Sequence, residues 1–346
     1  MKIIDSHFHW WPRSVLEDLC GRTTWPRAAP NDRGGYTYWR REGDRPQFVL
    51  GPEWLELDAQ LASLQGEELD VLAIGSIGPF SVHFSDVPVE EGVRAARLWN
   101  QEMADAQRSR RGRFWGTAAV PLTDTAAAIE TLDHAIGELG LVGVNLPGSV
   151  GDDPRIDAER LEPFYARVAE LGVPMLLHPT DAIFAEMLAG YGGALHLSLG
   201  RVIEVSVAAS RLIFSGLMER HPTLRIIMSH TGGALPYQSG RMDKNGRPAG
   251  LPHPTSTYIR RMYTDTVSPH TEGIRFAIDY FGADQVLYGS DYPCWSPAIA
   301  LDLFDKVGLS PEDKKKILYD NARRIFGLDG NGRAERESDS GRPPQG

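Results

Sequence analysis

The sequence predicts an α/β fold, namely a (β/α)8 TIM barrel with long loop insertions at its C-terminal face. Three observations lead to this prediction. Short apolar segments alternate with longer amphipathic segments along the chain, which is typical of a parallel sheet wrapped in helices. Eight such units favour a closed barrel over an open doubly wound sheet. No glycine-rich GxGxxG motif opens the first helix, which disfavours a dinucleotide-binding fold.

The predicted strands are short and rich in β-branched residues, as expected of strands that are buried on both faces. They are Lys2–Asp5, Val71–Gly75, Phe114–Ala119, Val142–Asn145, Val173–His178, Arg225–His230, Met262–Asp265 and Val286–Gly289. The clearest predicted helices are Trp54–Gln65, Glu91–Ser109, Thr125–Gly137, Ala158–Glu170, Ile203–Arg220, Glu272–Phe281 and Pro297–Val307. Capping residues indicate helix starts at Thr123-Asp124 and at Ser310-Pro311.

Three segments interrupt the alternation of strands and helices. They are a long insert after the first strand, Pro12–Pro52, and the segments Thr180–Gly200 and Arg241–Arg261 after the fifth and sixth strands. Long ordered loops in a barrel usually build its binding face, so we expect the substrate pocket there. We predict one catalytic domain over residues 1–328, with 12–52 as an insert loop, followed by a disordered polar tail over 329–346.

Composition narrows the possible partners. The 346 residues carry a net charge of −10 and form no dense run of lysine and arginine, so we expect no nucleic-acid partner. No segment reaches the roughly 18 apolar residues of a membrane span, so we expect no membrane partner. Two cysteines far apart in the sequence, and no apolar stretch of signal-peptide length, favour a cytoplasmic protein.

Histidine and aspartate recur where predicted strands end. His7 and His9 are two residues apart where the first predicted strand ends, and with strand spacing their side chains project to the same side. His178, His230 and Asp291 follow or end the fifth, sixth and eighth apolar segments. The C-terminal strand ends of such barrels carry the catalytic residues. Imidazole nitrogens with one carboxylate suit Zn²⁺, with Mn²⁺ or iron as alternatives, so the pattern predicts a metal site.

Four motifs resemble those of the amidohydrolase superfamily, specifically its branch that contains aminocarboxymuconate semialdehyde decarboxylase. They are HFHWWP at the first strand, LLHPT at Leu176–Thr180, SHTGGALPYQSGR at Ser229–Arg241 and LYGSDYP at Leu287–Pro293. The resemblance spans residues 1 to about 328. It implies a single metal ion, because no carboxylated-lysine signature stands at the end of the fourth strand. The ligands it implies are His7, His9, His178 and Asp291, with His230 as the catalytic histidine.

The resemblance also implies a small anionic substrate that is bound by arginines. Arg241 is eleven residues after His230, the spacing at which the family has an arginine that reaches into a neighbouring subunit's site. It therefore implies a homodimer. A second family arginine precedes a proline in the insert, and Arg45 matches it best, with Arg40 and Arg41 as alternatives.

The function expected from these residues is a zinc-dependent, non-oxidative decarboxylase of a small aromatic or unsaturated carboxylic acid. His230 would hold or receive a proton, for which an ordinary histidine pKa near 6.5 is suitable. A hydrolase of a lactone or related cyclic ester, with Asp291 shuttling a proton, is the main alternative. A catalytically silent barrel acting in binding or assembly is a third, against which the intact set of metal ligands argues.

Two departures from the family pattern fall in the expected substrate pocket. Thr180 follows His178-Pro179 where the family has an aromatic residue, and LHLSLGRVIE over Leu195–Glu204 replaces a tryptophan-bearing segment. Arg201 in that segment is either a new contact for an anion or a surface charge at a helix start. The substrate is therefore less well defined by the sequence than the metal chemistry.

Overall fold

The computed structural model of the protein describes residues 1–42, 46–65, 69–181, 183–184 and 186–328. Two predictions, the substrate contact of Arg45 and the disordered tail over 329–346, lie outside these residues. Eleven strands occur in the described part of the chain: β1 (Lys2–His9), β2 (Arg27–Pro30), β3 (Tyr36–Trp39), β4 (Phe48–Leu50), β5 (Asp70–Ser76), β6 (Phe114–Gly116), β7 (Val144–Pro147), β8 (Met175–His178), β9 (Ile226–Met228), β10 (Tyr263–Asp265) and β11 (Val286–Leu287).

Eight of these strands form a closed ring of parallel strands. The hydrogen-bonded order is β1-β5-β6 in one arc and β7-β8-β9-β10-β11 in the other. Backbone hydrogen bonds join the arcs on both sides, from Asn145 N to Ala118 O (2.8 Å) and from Asp291 N to His7 O (2.8 Å). The predicted eight-stranded barrel is therefore confirmed, and each predicted strand corresponds to one strand of the ring.

Helices follow the strands as the alternating pattern predicts. They are α1 (Arg13–Cys20), α2 (Leu57–Ser63), α3 (Val89–Ser109), α4 (Thr125–Asp133), α5 (Glu162–Leu171), α6 (Arg201–Phe214), α7 (Leu217–Arg220), α8 (Leu235–Asn245), α9 (Thr255–Arg261), α10 (Thr271–Phe281), α11 (Pro297–Asp305), α12 (Pro311–Lys315) and α13 (Asn321–Ile325). Asp124 and Ser310 cap α4 and α12 by accepting hydrogen bonds from Ala127 N and Asp313 N, as expected. The predicted helix Ile203–Arg220 is divided into α6 and α7 at Gly216, whose φ is +75°.

Two of the three interrupting segments are more regular than expected. The insert over 12–52 is not simply a loop, because it contains α1 and an antiparallel sheet of β2, β3 and β4. Tyr36 and Tyr38 alternate with less buried neighbours in β3, and this period of two fits a strand that packs one face on the barrel. The segment Arg241–Arg261 is mostly helical, since α8 extends to Asn245 and α9 ends it.

The barrel interior is apolar toward its N-terminal end. One buried cluster joins inward-facing side chains of the strands to α13, which closes that end; its members include Ile4, Leu72, Ile74, Trp115, Leu176, Ile227, Leu287, Ala322, Ile325 and Phe326. A larger cluster fills the layer between strands and helices. Burial of these side chains fixes the strands, so polar side chains at the opposite, C-terminal ends are held in place. Among the described residues, no helix is both long and apolar enough to cross a bilayer.

Candidate metal centre

A bulge in β1 aims two histidines at the barrel axis. Asp5 pairs with Ala73 and Phe8 with Gly75, so β1 has one more residue than β5 over this stretch. Ile4, before the bulge, belongs to the interior cluster. With strict alternation His7 would then face outward, but the extra residue reverses the phase and brings His7 and His9 inward together.

Each of the three clustered histidines has its Nδ1 bound, which leaves Nε2 free to face the others. Nδ1 of His7 donates to Oδ2 of Asp265 at 2.6 Å, and Nδ1 of His9 lies 3.0 Å from Oγ of Ser76. Nδ1 of His178 donates to the carbonyl oxygen of Pro179 at 2.8 Å. With the hydrogen on Nδ1, each Nε2 could offer a lone pair to a cation, the arrangement that orients a histidine as a metal ligand.

The donor atoms have the spacing of ligands around one ion. Nε2 of His7 and Nε2 of His9 are 3.2 Å apart, and Oδ1 of Asp291 lies 3.2 and 3.1 Å from them. Two ligands about 2.0–2.1 Å from a tetrahedral ion would be about 3.3 Å apart. One donor atom from each of His7, His9, His178 and Asp291 lies within 4.8 Å of every other, and all four residues are buried. We call these four residues the metal cluster.

His178 provides a test of whether a cation fits this cluster. Its Nε2 is buried and, within the described ranges, has no hydrogen-bond partner. Burial and the neighbouring rings of His9, His7 and His230 hold the pKa of His178 well below its usual value, so the ring is neutral. A buried lone pair without a partner costs free energy, and a divalent cation would satisfy it. The donor set therefore fits one divalent metal ion.

Within the metal cluster, the charges of Asp291 and His7 stabilise each other. Burial alone would raise the pKa of Asp291, but the charge of His7 and the neighbouring rings of His230 and His9 hold it well below its usual value. Burial alone would lower the pKa of His7, but the charge of Asp291 and the hydrogen bond to Asp265 raise it to about 10. Asp291 thus stays ionised as a ligand must, and in the absence of a cation His7 carries the compensating positive charge.

Asp265 is a residue of the site that our sequence analysis missed. Its carboxylate accepts a hydrogen bond from Nδ1 of His7 and also from the backbone N–H groups of His230, Thr231 and Val267 at 3.0–3.1 Å. It therefore links the ends of β1, β9 and β10. Because Asp265 is the last residue of a predicted strand, the strand-end rule that selected the histidines would have found it.

Backbone conformation and a glycine also shape the site. His230 and Asp291 both have positive φ, +56° and +59°, an unusual conformation that recurs at functional sites. Gly78, with φ +60°, lies where a Cβ would be 2.7 Å from Cε1 of His9. Gly78 therefore allows the end of β5 to approach the His9 ring.

His230 lies beside the metal cluster without being part of it. Its ring centroid is 5.3 Å from that of His7 and 5.5 Å from that of His178, and its Nε2 is 3.9 Å from Oδ2 of Asp291. Nδ1 is buried, and no described residue bonds to it. This position suits proton transfer at the cluster, and the catalytic role of His230 stays a prediction.

The arginines expected to bind substrate are placed differently. Arg40 is buried and donates to Asp86 and Asp152, and Arg41 is exposed and pairs with Asp152. Arg241 is exposed on α8. Its predicted contact is with another subunit, so that role also stays a prediction.

A cavity of about 440 Å³ opens between the insert and the segment that joins β8 to α6. We call it the rim cavity; it is lined by Arg40, Arg41, Glu42, Pro46, Gln47, Phe48, Asp181, Leu188, Ala189, Gly193, His196, Leu197 and Arg201. Phe48 packs on Trp11, Trp11 on Trp54, and Trp54 stacks on His9 at 6.3 Å between centroids. One aromatic wall thus connects the rim cavity to the metal cluster.

Comparison with known proteins agrees with this geometry. Residues 4–328 match the family model described as Amidohydrolase. Gamma-resorcylate decarboxylase of Rhizobium sp. (strain MTP-10005) is 31% identical over 308 residues, which cover 83% of this chain and 94% of the relative. Gamma-resorcylate decarboxylase of Rhodococcus jostii (strain RHA1) is 32% identical over 311 residues, with coverage of 83% and 94%.

A solved structure is similar over nearly the whole chain. It is a dihydroxybenzoic acid decarboxylase from Polaromonas sp. JS666, determined with bound manganese and the inhibitor 2-nitroresorcinol. It has a TM-score of 0.74 and 27% sequence identity, and the match covers 94% of this chain and 97% of that chain.

Proposed function

The chain belongs to the amidohydrolase family, and from that premise we propose that it is a metal-dependent, non-oxidative decarboxylase of a small aromatic carboxylic acid. The observation that carries this proposal is the metal cluster, in which four donor atoms converge and the buried Nε2 of His178 lacks a partner among the described residues. Its relatives are named gamma-resorcylate decarboxylase and dihydroxybenzoic acid decarboxylase, and these names support the reaction type.

The proposed ligands are His7, His9, His178 and Asp291. When bound, the metal ion would supply a fixed positive charge that holds oxygen substituents of the substrate and stabilises negative charge in the transition state. We propose zinc, because three imidazoles and one carboxylate suit it. Manganese is the second candidate, because a similar enzyme was solved with it.

Decarboxylation requires one proton and releases one CO2. The ring carbon that carries the carboxylate takes a proton, the bond to the carboxylate then breaks, and its electron pair restores the aromatic ring. His230 is the proposed proton donor, because its ring lies beside the metal cluster and its Nε2 is 3.9 Å from Asp291. Asp291 would orient the charged form of His230 through Oδ2, while its Oδ1 faces His7 and His9.

The test combines metal analysis with product analysis. Protein purified without added metal should contain about one equivalent of divalent metal per chain, and reloading the stripped protein with Zn²⁺ or Mn²⁺ should identify the active metal. CO2 release would be measured from a panel of hydroxylated benzoic acids and unsaturated acids. Turnover of lactones without any CO2 release would instead support the hydrolase. Lack of both metal and turnover would overturn the proposal.

Three further properties concern the domain, the oligomeric state and the location of the protein. We propose a single catalytic domain over 1–328, since the barrel runs from β1 to α13. We propose a homodimer in which Arg241 reaches the neighbouring site, since Arg241 and Tyr237 are exposed on α8. We propose a cytoplasmic location, since Cys20 and Cys294 are free thiols. Light scattering of the purified protein would test the dimer.

A further inference from the structure

The rim cavity contains a half-buried arginine that the reaction proposed above does not use. Arg201, the first residue of α6, donates from Nε and Nη2 to the two carboxylate oxygens of Asp181 at 3.0 and 2.8 Å. The Arg201 side chain is 16% exposed and that of Asp181 only 9%. Within the described part of the chain, Nη1 of Arg201 makes no hydrogen bond, so its two hydrogens are available to another acceptor.

The surrounding segment is shaped to hold this pair. Asp181 adopts a φ of +60°, which is uncommon for a non-glycine residue. His196 brings Nε2 to 3.0 Å from Oδ1 of Asp181. Gly200 allows close packing here, because a Cβ at Gly200 would lie 2.7 Å from Leu188 and 3.1 Å from His196. The guanidinium of Arg201 is therefore held in one position before any ligand binds.

One arginine of the rim cavity keeps donor atoms for an anion. Of the three arginines that line it, Arg40 and Arg41 are paired with Asp86 and Asp152, whereas Arg201 keeps Nη1 for a further acceptor. Burial alone would lower the pKa of Arg201, but the charge of Asp181 raises it above its usual value, and Asp291 adds to this effect. Arg201 is thus permanently charged.

Arg201 is unsuited to hold the carboxylate that is lost. That group is negatively charged in the substrate and becomes neutral CO2, so a charge-assisted hydrogen bond to it would stabilise the substrate more than the transition state. An arginine that binds a group whose charge persists does not oppose the reaction in this way. A carboxylate that stays on the product is such a group, and it would position the ring without opposing the reaction.

We propose that Arg201 binds a second carboxylate of the substrate, one that is retained, so that the substrate class is an aromatic dicarboxylic acid. This inference rests on the proposed decarboxylase function and narrows its substrate. Arg201 would determine specificity through Nη1, and Asp181 would be a positioning residue that fixes the guanidinium plane.

The experiment measures binding, which does not require turnover. Isophthalate and terephthalate, the 1,3- and 1,4-dicarboxylates of benzene, are titrated into metal-loaded protein by calorimetry. Each is compared with its monoamide, which has the same shape and one charge less. We expect the dicarboxylate of at least one pair to bind tenfold or more tightly than its monoamide, which corresponds to about 1.4 kcal/mol.

Arg201→Gln should reduce the ratio of the two dissociation constants, monoamide over dicarboxylate, to about one. Arg211→Gln is the matched control, because Arg211 lies on the same helix and pairs with Asp157 at 2.6 Å but does not line the rim cavity. Because Arg201→Gln leaves Asp181 unpaired and could unfold the segment, the double variant Asp181→Asn/Arg201→Gln provides a second measurement without a buried lone charge. It too should show a ratio of about one.

The outcomes separate this inference from the proposed function. A ratio near one for both pairs in the wild-type protein, or a ratio that both variants preserve, would overturn the role of Arg201. If the ratio is present in the wild type and lost in the variants, Arg201 is the anion contact even if no acid on the panel releases CO2. In that case only the decarboxylase proposal fails.

Discussion

The metal cluster and the rim cavity lie at the same end of the barrel but are built differently. The cluster uses residues at or just after the ends of β1, β8 and β11, which are fixed by the strand ladder and the apolar interior. The rim cavity uses irregular segments held by ion pairs such as Asp181–Arg201 and Arg40–Asp86. On the proposed function, the barrel strands would position the catalytic residues, while the ion-paired segments outside the barrel would select the substrate.

The largest effect should come from removing a cluster ligand. Asp291→Asn takes away the anionic ligand of the cluster, so we expect loss of the metal and at least a thousandfold loss of turnover. Metal analysis and initial rates measure both. Asp284→Asn, at a largely exposed carboxylate paired with Lys316, is the control and should change neither. Full metal occupancy in Asp291→Asn would show that the cluster has been assigned wrongly.

A slightly smaller loss of turnover is expected from replacing His230, and this variant distinguishes proton transfer from metal binding. His230→Gln should lower turnover about 10²–10⁴-fold, the usual contribution of a positioned acid or base, while about one equivalent of metal is retained. Single-turnover rates and metal content of the same preparation would be compared. If the variant instead loses its metal, His230 belongs to the cluster and the distinction drawn here between ligand and proton donor is wrong.

Replacing Asp265 tests whether its hydrogen bond to His7 contributes to metal affinity. Asp265→Asn keeps the shape of the side chain but removes the charge that faces Nδ1 of His7. We expect metal affinity to fall by about 10–100-fold, as for other partners of metal-bound histidines. Competition with a chelator of known affinity measures this change. Unchanged affinity would mean that the hydrogen bond to His7 only supports the fold.

The smallest expected effect is a change in the free energy of unfolding, and it comes from the carboxyl group of Glu204. Burial, together with the charge of Asp181, raises the pKa of Glu204 from 4.5 to about 7. Two hydrogen bonds donated by Thr180 and the nearby His196 oppose this shift but do not cancel it. A raised pKa contributes stability that is complete below about pH 4.5 and is lost as the pH rises through about 7. Between pH 4.5 and pH 8, the free energy of unfolding of Glu204→Gln should therefore rise by roughly 3 kcal/mol relative to that of the wild type.

Urea unfolding of metal-free protein at both pH values measures this change. Glu138→Gln, at an exposed side chain, is the control and should follow the wild type. If the stability of wild type and Glu204→Gln changed with pH in parallel, the carboxylate of Glu204 would not be protonated in the folded protein.

The barrel strands could be predicted from the sequence better than the irregular segments that surround them. Apolar runs identified all eight barrel strands, and histidines at their ends identified the cluster. The bulge in β1 could not be read from the sequence, because nothing in DSHFH shows which residue is unpaired. The Asp181–Arg201 pair was missed for a related reason. It joins residues 20 apart through a loop with a positive φ, and such contacts leave no periodic pattern.

Closure of the ring by its first and last strands has a consequence for biosynthesis. His9 and Asp291, whose side chains meet in the metal cluster, are 282 residues apart in the chain. A ribosome makes roughly 5–20 residues per second, so the two ligands are synthesised many seconds apart. The proposed ligand set is complete only after Asp291 has left the ribosome and β11 has paired with β1. We therefore expect tight metal binding only late in synthesis, when the histidines made earlier gain their carboxylate partner.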